Sequence, residues 1–132
     1  MHQQYELRVW LHLSLMPGSS NQWLHLWDAQ QVPIEEIPSW LLSDKFNLSV
    51  AQRTHLQRKI PQFEEVFSWL GQSINNLVVW SDARFPAILR QLSSPPVLLF
   101  ARGDLSCLSG PAVAVVGARK CSYGGKQFAG QL

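Results

Sequence analysis

The run from Val113 to Gly125, VAVVGARKCSYGG, constrains this chain more than any other stretch. Successive Val and Ala residues suit a strand buried on both faces. They open directly into a loop crowded with Gly, Arg, Lys, Ser and Tyr, beyond which a helix is expected to begin. Strand, glycine-bounded loop and helix N-terminus together form a common device for holding phosphate, because loop amides and the first helical turn point at the anion. Gly117 lets the backbone turn and a ligand approach the main chain, and Ala118 adds an amide. Arg119 brings a planar fork of donors able to grip a phosphate bidentately, and Lys120 adds a point charge. Ser122 can cap the following helix or donate its hydroxyl to a phosphate oxygen. Tyr123 offers packing or a stacking face, Gly124 and Gly125 keep the first turn bare for a polymer backbone, and Lys126 adds a further cation.

The spacing narrows the chemistry. It is not GxGxxG, and it is not GxxxxGK[ST], since Gly125-Lys126 is followed by Gln127 and lacks the hydroxyl that magnesium needs. No paired carboxylates, Ser-His-Asp set or Cys-His set lies near the loop, and Asp104 is the nearest acid upstream. No catalytic residue, cofactor or metal is therefore expected. The bland alternative is that Arg119 and Lys120 belong to a solvated loop.

Charge follows the same division. From Met1 to Trp80 there are five Lys/Arg against seven Asp/Glu, a balance of −2; from Ser81 to Leu132 there are six against two, a balance of +4. A basic half suits an anionic partner, of which nucleic acid is the commonest. With 46% apolar and 15% charged residues the chain can build a packed core rather than remain disordered. The six Trp are read mainly as core packing along apolar helical stripes, with base stacking as the alternative. Cys107, Cys121 and the four His show no ligand spacing, so free thiols and no metal site are expected. The N-terminus lacks a basic start and a long apolar run, which predicts no signal peptide, no membrane span and a cytoplasmic protein.

Residues 1–73 read as a small all-helical domain. Leu7, Trp10, Leu11 and Leu15 recur at helical spacing before a Pro17-Gly18 turn. Ser20 or Asn21 is placed to cap a second helix carrying Trp23, Leu24 and Trp27, and Pro33 suits the first turn of a third, with Ile34, Ile37 and Leu41. Ser49 and Gln52 have the form of a capping box opening a longer helix, which Pro61 must kink or restart. The turn at Leu15–Ser19 resembles a helix-hairpin-helix, but it has one Gly and no adjacent cation, so a packing or partner-docking role suits it better. Residues 74–132 read as α/β. Strands are expected at Leu77–Trp80, Val97–Ala101 and Val113–Val116, with a short helix from Pro86 to Leu92, a rigid break at Ser93–Pro96 and a turn at Gly103-Asp104. Short apolar strands separated by helices predict a parallel sheet.

Four linked stretches then resemble one family. They are Asp82-Ala83-Arg84-Phe85-Pro86, Pro95-Pro96-Val97-Leu98-Leu99-Phe100, Gly103-Asp104 and the Val113–Gly125 loop. In that order they are similar to the D-x-x-[YF]-P, PPxxLF, G-[DN] and VGxRxxSxYG motifs of the DprA/Smf DNA-processing proteins. The resemblance covers Leu77–Leu132 closely, and Met1–Ser73 more loosely as the SAM-like helical domain that often precedes it. It implies a truncated Rossmann-like parallel sheet behind a SAM-like domain, and single-stranded DNA binding without catalysis. It also implies a role in natural transformation with loading of the RecA recombinase, and a homodimer in the full-length family. Arg119 falls where that family contacts DNA phosphate, with Gly117, Ala118 and Ser122 assisting; Ala118 stands where Ser is commoner. Two other readings compete: a nucleotide-binding α/β enzyme using the same loop, and a helical half that docks a partner by itself.

Overall fold

The computed structural model describes residues 1–18 and 21–132. Helix α1 (His2–Ser14) buries five consecutive residues, Val9 to Leu13, so it runs through the core rather than lying on its surface with one apolar stripe. Leu15, expected on the buried stripe, falls just past the helix end and is exposed. Gly18 then takes φ +96°, and a Cβ there would sit 2.9 Å from the Gln52 side chain, so both conformation and space favour glycine.

Helix α2 (Trp23–Gln30) begins without a side-chain cap. Ser20 lies outside the described residues, and Asn21 is used elsewhere: its side-chain amide donates to the Pro95 carbonyl at 3.0 Å, fastening α2 to the second half of the chain. Pro33 opens a 3₁₀ turn (Ile34–Glu36) that continues into α3 (Ile37–Leu41). The Ser49/Gln52 capping box forms reciprocally at the start of α4 (Val50–Gln57), with Gln52 N donating to Ser49 Oγ at 3.2 Å and Ser49 N donating to Gln52 Oε1 at 2.9 Å. Pro61 ends the pattern rather than bending it. The chain leaves α4 at an extended Arg58 and passes a left-handed Phe63 (φ 56°) before α5 (Glu64–Leu70) starts.

Strands β1 (Asn75–Val79) and β2 (Leu98–Arg102) pair with Leu77 opposite Phe100 and Val78 opposite Leu99. The pair is antiparallel, which corrects the expected parallel arrangement. The reason lies in the connection. Helix α6 (Ala87–Arg90) has four residues and rises only about 6 Å, too little to carry the chain back along a strand of about 17 Å. The chain instead folds over on itself and prolongs the ladder, with Trp80 N donating to Val97 O at 3.0 Å.

After β2, Gly103 turns with φ +114°, Asp104 caps a 3₁₀ turn (Leu105–Ser109), and the chain extends to α7 (Tyr123–Gln131). Val113–Val116, expected as a third strand, is not one: it pairs with neither β1 nor β2, and Val113, Val115 and Val116 are exposed. An apolar run becomes a strand only where an edge and covering layers receive it. The described residues thus form a mixed fold of seven α-helices and a two-stranded sheet, without a Rossmann-like parallel sheet.

The core joins α1, α2, α3 and α4 to β1 and its flanks. Trp10 stacks on Trp23 at 6.5 Å and meets Trp27 edge-on at 5.4 Å, while Trp80 packs on Phe85. These four Trp are buried, so they serve packing rather than base stacking. Residues 111–132 contribute nothing to that core. No helix among the described residues is long and apolar enough to cross a membrane.

Candidate nucleic-acid interface

The basic half of the chain divides its cations between two uses. Asp82 accepts from the Arg84 backbone N–H at 2.8 Å and holds the Arg84 guanidinium through Nε and Nη2, a hydrogen-bonded pair that keeps the carboxyl below its ordinary range. Arg90 lies 4.5 Å over the Trp80 ring and donates to the carbonyls of Trp80 and Asp82. Both arginines therefore hold the turn between β1 and α6 together. Arg102, Arg119, Lys120 and Lys126 form no ion pair among the described residues and are exposed.

Three of those four lie in the loop and helix predicted as the site. Gly117, Ala118, Arg119 and Lys120 are exposed, and a Cβ at Gly117 would meet nothing within 4 Å. Ser122 takes extended geometry and caps α7, its Oγ accepting from Gly125 N at 3.1 Å. Because the hydroxyl is used there as an acceptor, its own proton stays available to an anion at the helix start. A Cβ at Gly125 would lie 3.2 Å from that Oγ, so the second glycine leaves room for the cap. Tyr123 keeps its ring in solvent while its hydroxyl accepts from Gln127 Nε2 at 2.9 Å. Lys126 stands three and four residues beyond Tyr123 and Ser122, on the same side of the helix. Gly124 is likewise open.

The nearest upstream acid does not neutralise this group. The Asp104 carboxylate accepts from Ser106 N at 2.9 Å, and that backbone hydrogen bond lowers its pKa. Cys121, inside the loop, and Cys107 are exposed free thiols. Loop amides, two loop cations, a capped helix start and Lys126 thus share one solvent-facing segment. The combination can bind anions through charge and main-chain donors, and it offers no nucleophile–base pair.

The tertiary structure also gathers groups that the sequence left scattered. His2 Nε2 pairs with Glu6 at 3.2 Å, and Glu35 brings a carboxylate within 4.8 Å of both. Arg8, Arg58 and Lys59 line a single cleft between α1 and the α4–α5 connection. Only the one-turn spacing of His2 and Glu6 was visible locally; nothing in the sequence brings residue 8 to residues 58 and 59.

The motifs of the second half each do identifiable structural work. Asp82 and Phe85 shape the turn, with Phe85 buried against Trp80 and Pro86 at the N-cap of α6. Pro95 is fully buried ahead of β2, and Gly103 N closes the sheet end on Ile74 O at 2.8 Å.

Residues 76–132 match the family model of DNA recombination-mediator protein A. The chain is also similar to the DNA processing protein DprA of Bacillus subtilis (strain 168), with 30% identity over 86 residues. That match covers 64% of this chain and 29% of the relative, so the chain aligns with under a third of that protein's length. No solved structure matches the chain significantly. With its four motifs in order on the turn, strand, bend and loop just described, the 76–132 segment is similar to the DNA recombination-mediator protein A family.

Proposed function

We propose that this chain takes part in DNA processing by binding single-stranded DNA, without catalysis, through the segment Gly117–Lys126. One observation carries the reading: Arg119, Lys120 and Lys126 stand exposed, with no ion pair among the described residues, around a helix start capped by Ser122. Arg119 engages a backbone phosphate bidentately, and Lys120 and Lys126 neutralise its neighbours. The amides at Gly117 and Ala118, the Ser122 hydroxyl and the helix dipole supply further donors. Tyr123 presents a ring on which a base can stack, and Gly124 lets the strand come close. Phosphate contacts carry no base information, so recognition is independent of sequence. Support comes from the family match over these same residues and from the relative's name as a DNA processing protein. Within this reading the longer protein dimerises, works in the cytoplasm during transformation and recombination, and hands its strand to a RecA-type recombinase. The remainder of a Rossmann-like sheet would receive Val113–Val116.

The test is oligo-dT binding followed by fluorescence anisotropy across a salt series. Affinity falls with salt, with a log–log slope of about −0.7 per phosphate neutralised. Arg119→Ala weakens binding by about 1.5–3 kcal/mol, the range for a hydrogen bond to a charged group. Wild-type affinity in that variant refutes the assignment.

A further inference from the structure

The N-terminal half carries a net negative charge, yet three of its five cations converge. Arg8 on α1 and Arg58 and Lys59 from the α4–α5 connection line one cleft of about 420 Å³, together with Tyr5, Glu35 and Gln62. None of the three cations forms an ion pair among the described residues. Arg8 is held in place by its position 5.3 Å over the Phe67 ring, and its Nε is buried without a hydrogen-bond partner. Three like charges around one cavity are unfavourable alone, and an anion in the cleft relieves them. The connection that delivers Arg58 and Lys59 holds Phe63 at φ 56°, a conformation few bulky residues adopt.

We propose that this cleft is a second anion site, separate from the Gly117–Lys126 segment, and that it takes the phosphate monoester group of a nucleotide. Three cations against Glu35, the one carboxylate that lines the cleft, with Glu6 paired to His2 beside it, suit a dianionic phosphoryl group, which carries about −1.5 to −2 charges at neutral pH. Glu35 accepts from a hydroxyl or ring N–H at the other end of the ligand, and Tyr5 and Gln62 add donors. The volume falls within the usual range for small-ligand sites, about 300–1,000 Å³. Two sources offer the same chemistry, a free nucleoside monophosphate and the 5′-phosphate end of a DNA strand.

Calorimetric titration of the whole chain with inorganic phosphate, with dTMP, and with oligo-dT bearing either a 5′-phosphate or a 5′-hydroxyl separates them. Saturable one-to-one binding of dTMP is expected. It weakens at least tenfold in the double variant Arg58→Ala/Lys59→Ala, whose side chains are exposed and whose removal leaves the core intact. The same double variant leaves binding of 5′-hydroxyl oligo-dT through the Gly117–Lys126 segment unchanged, so failure of the cleft and failure of the loop read out separately. A preference for the 5′-phosphorylated strand that the double variant abolishes assigns the strand end. Binding of dTMP with equal affinity for the two strands assigns the free nucleotide. No saturable binding of phosphate, dTMP or the phosphorylated end, or binding indifferent to the double variant, overturns the proposal.

Discussion

His12 and His55 stack face to face, their ring centroids 4.2 Å apart and their planes 13° from parallel. Nε2 of His55 donates to the backbone carbonyl of His12 at 2.7 Å; a carbonyl only accepts, so the proton on His55 sits on that nitrogen. His12 itself is 2% exposed, and its own Nε2 is buried without a partner. Burial lowers the His12 pKa, and a charge on His55 would lower it further, against a smaller opposing backbone hydrogen bond.

Stability should therefore fall on acidification. Below the ordinary value of 6.5 the unfolded chain binds a proton at His12 that the folded chain resists, down to the depressed folded value. In that window stability rises with pH, and it is lost as pH falls from 6.5, by at most about 1.4 kcal/mol per pH unit for one proton. Urea midpoints across pH 5 to 8 measure the slope, and His12→Phe should reduce it. A flat wild-type profile between pH 5 and 6.5 is the contrary result.

The junction of the two halves makes a second test. The buried Trp80 indole N–H donates to Asp28 on α2 at 2.9 Å, and Arg90 covers the same ring. Asp28→Ala leaves that N–H without its acceptor and should cost about 1–3 kcal/mol in urea unfolding. Arg90→Lys should also destabilise, because an ammonium cannot reproduce the planar contact and the fork of donors. The Arg90–Asp28 ion pair at 3.7 Å contributes little, both side chains being partly solvated. An unchanged midpoint in Asp28→Ala would show that the hydrogen bond does not hold the halves together.

Two caps of similar form differ in what they support. Ser49→Ala removes a reciprocal box beneath Leu56, which is in the core, and should lower global stability by about 1 kcal/mol. Ser122→Ala unpins α7, which buries no residue, so its effect should be confined to faster amide exchange at Gly124–Lys126 with an unchanged urea midpoint. A global loss from Ser122→Ala would mean that α7 packs on the core.

The exposed Val116 offers a direct check on the missing strand. Because its side chain is 89% exposed, Val116→Asp should change the stability of this chain by no more than about 0.5 kcal/mol. A loss of several kcal/mol would mean that Val113–Val116 is buried in a sheet.

What the residues alone determined was the local grammar. Ser49 with Gln52, Ser122 with Gly125, Pro61 between two helices and Gly103 before Asp104 all act through contacts within about four residues, so their partners are legible in the order of the chain. The cap and helix start within Gly117–Lys126 were legible for the same reason, and the cations around them are exposed. Only tertiary structure decided the rest. Leu77 faces Phe100 antiparallel because the short α6 cannot carry a crossover, a matter of reach that composition does not record. Arg90 turned inward to Trp80, Val113–Val116 remained unpaired, and Arg8 met Arg58 and Lys59. Each outcome depends on which surfaces arrive together once the core around Trp10 and Trp80 has closed, and chain order does not specify contacts across that distance.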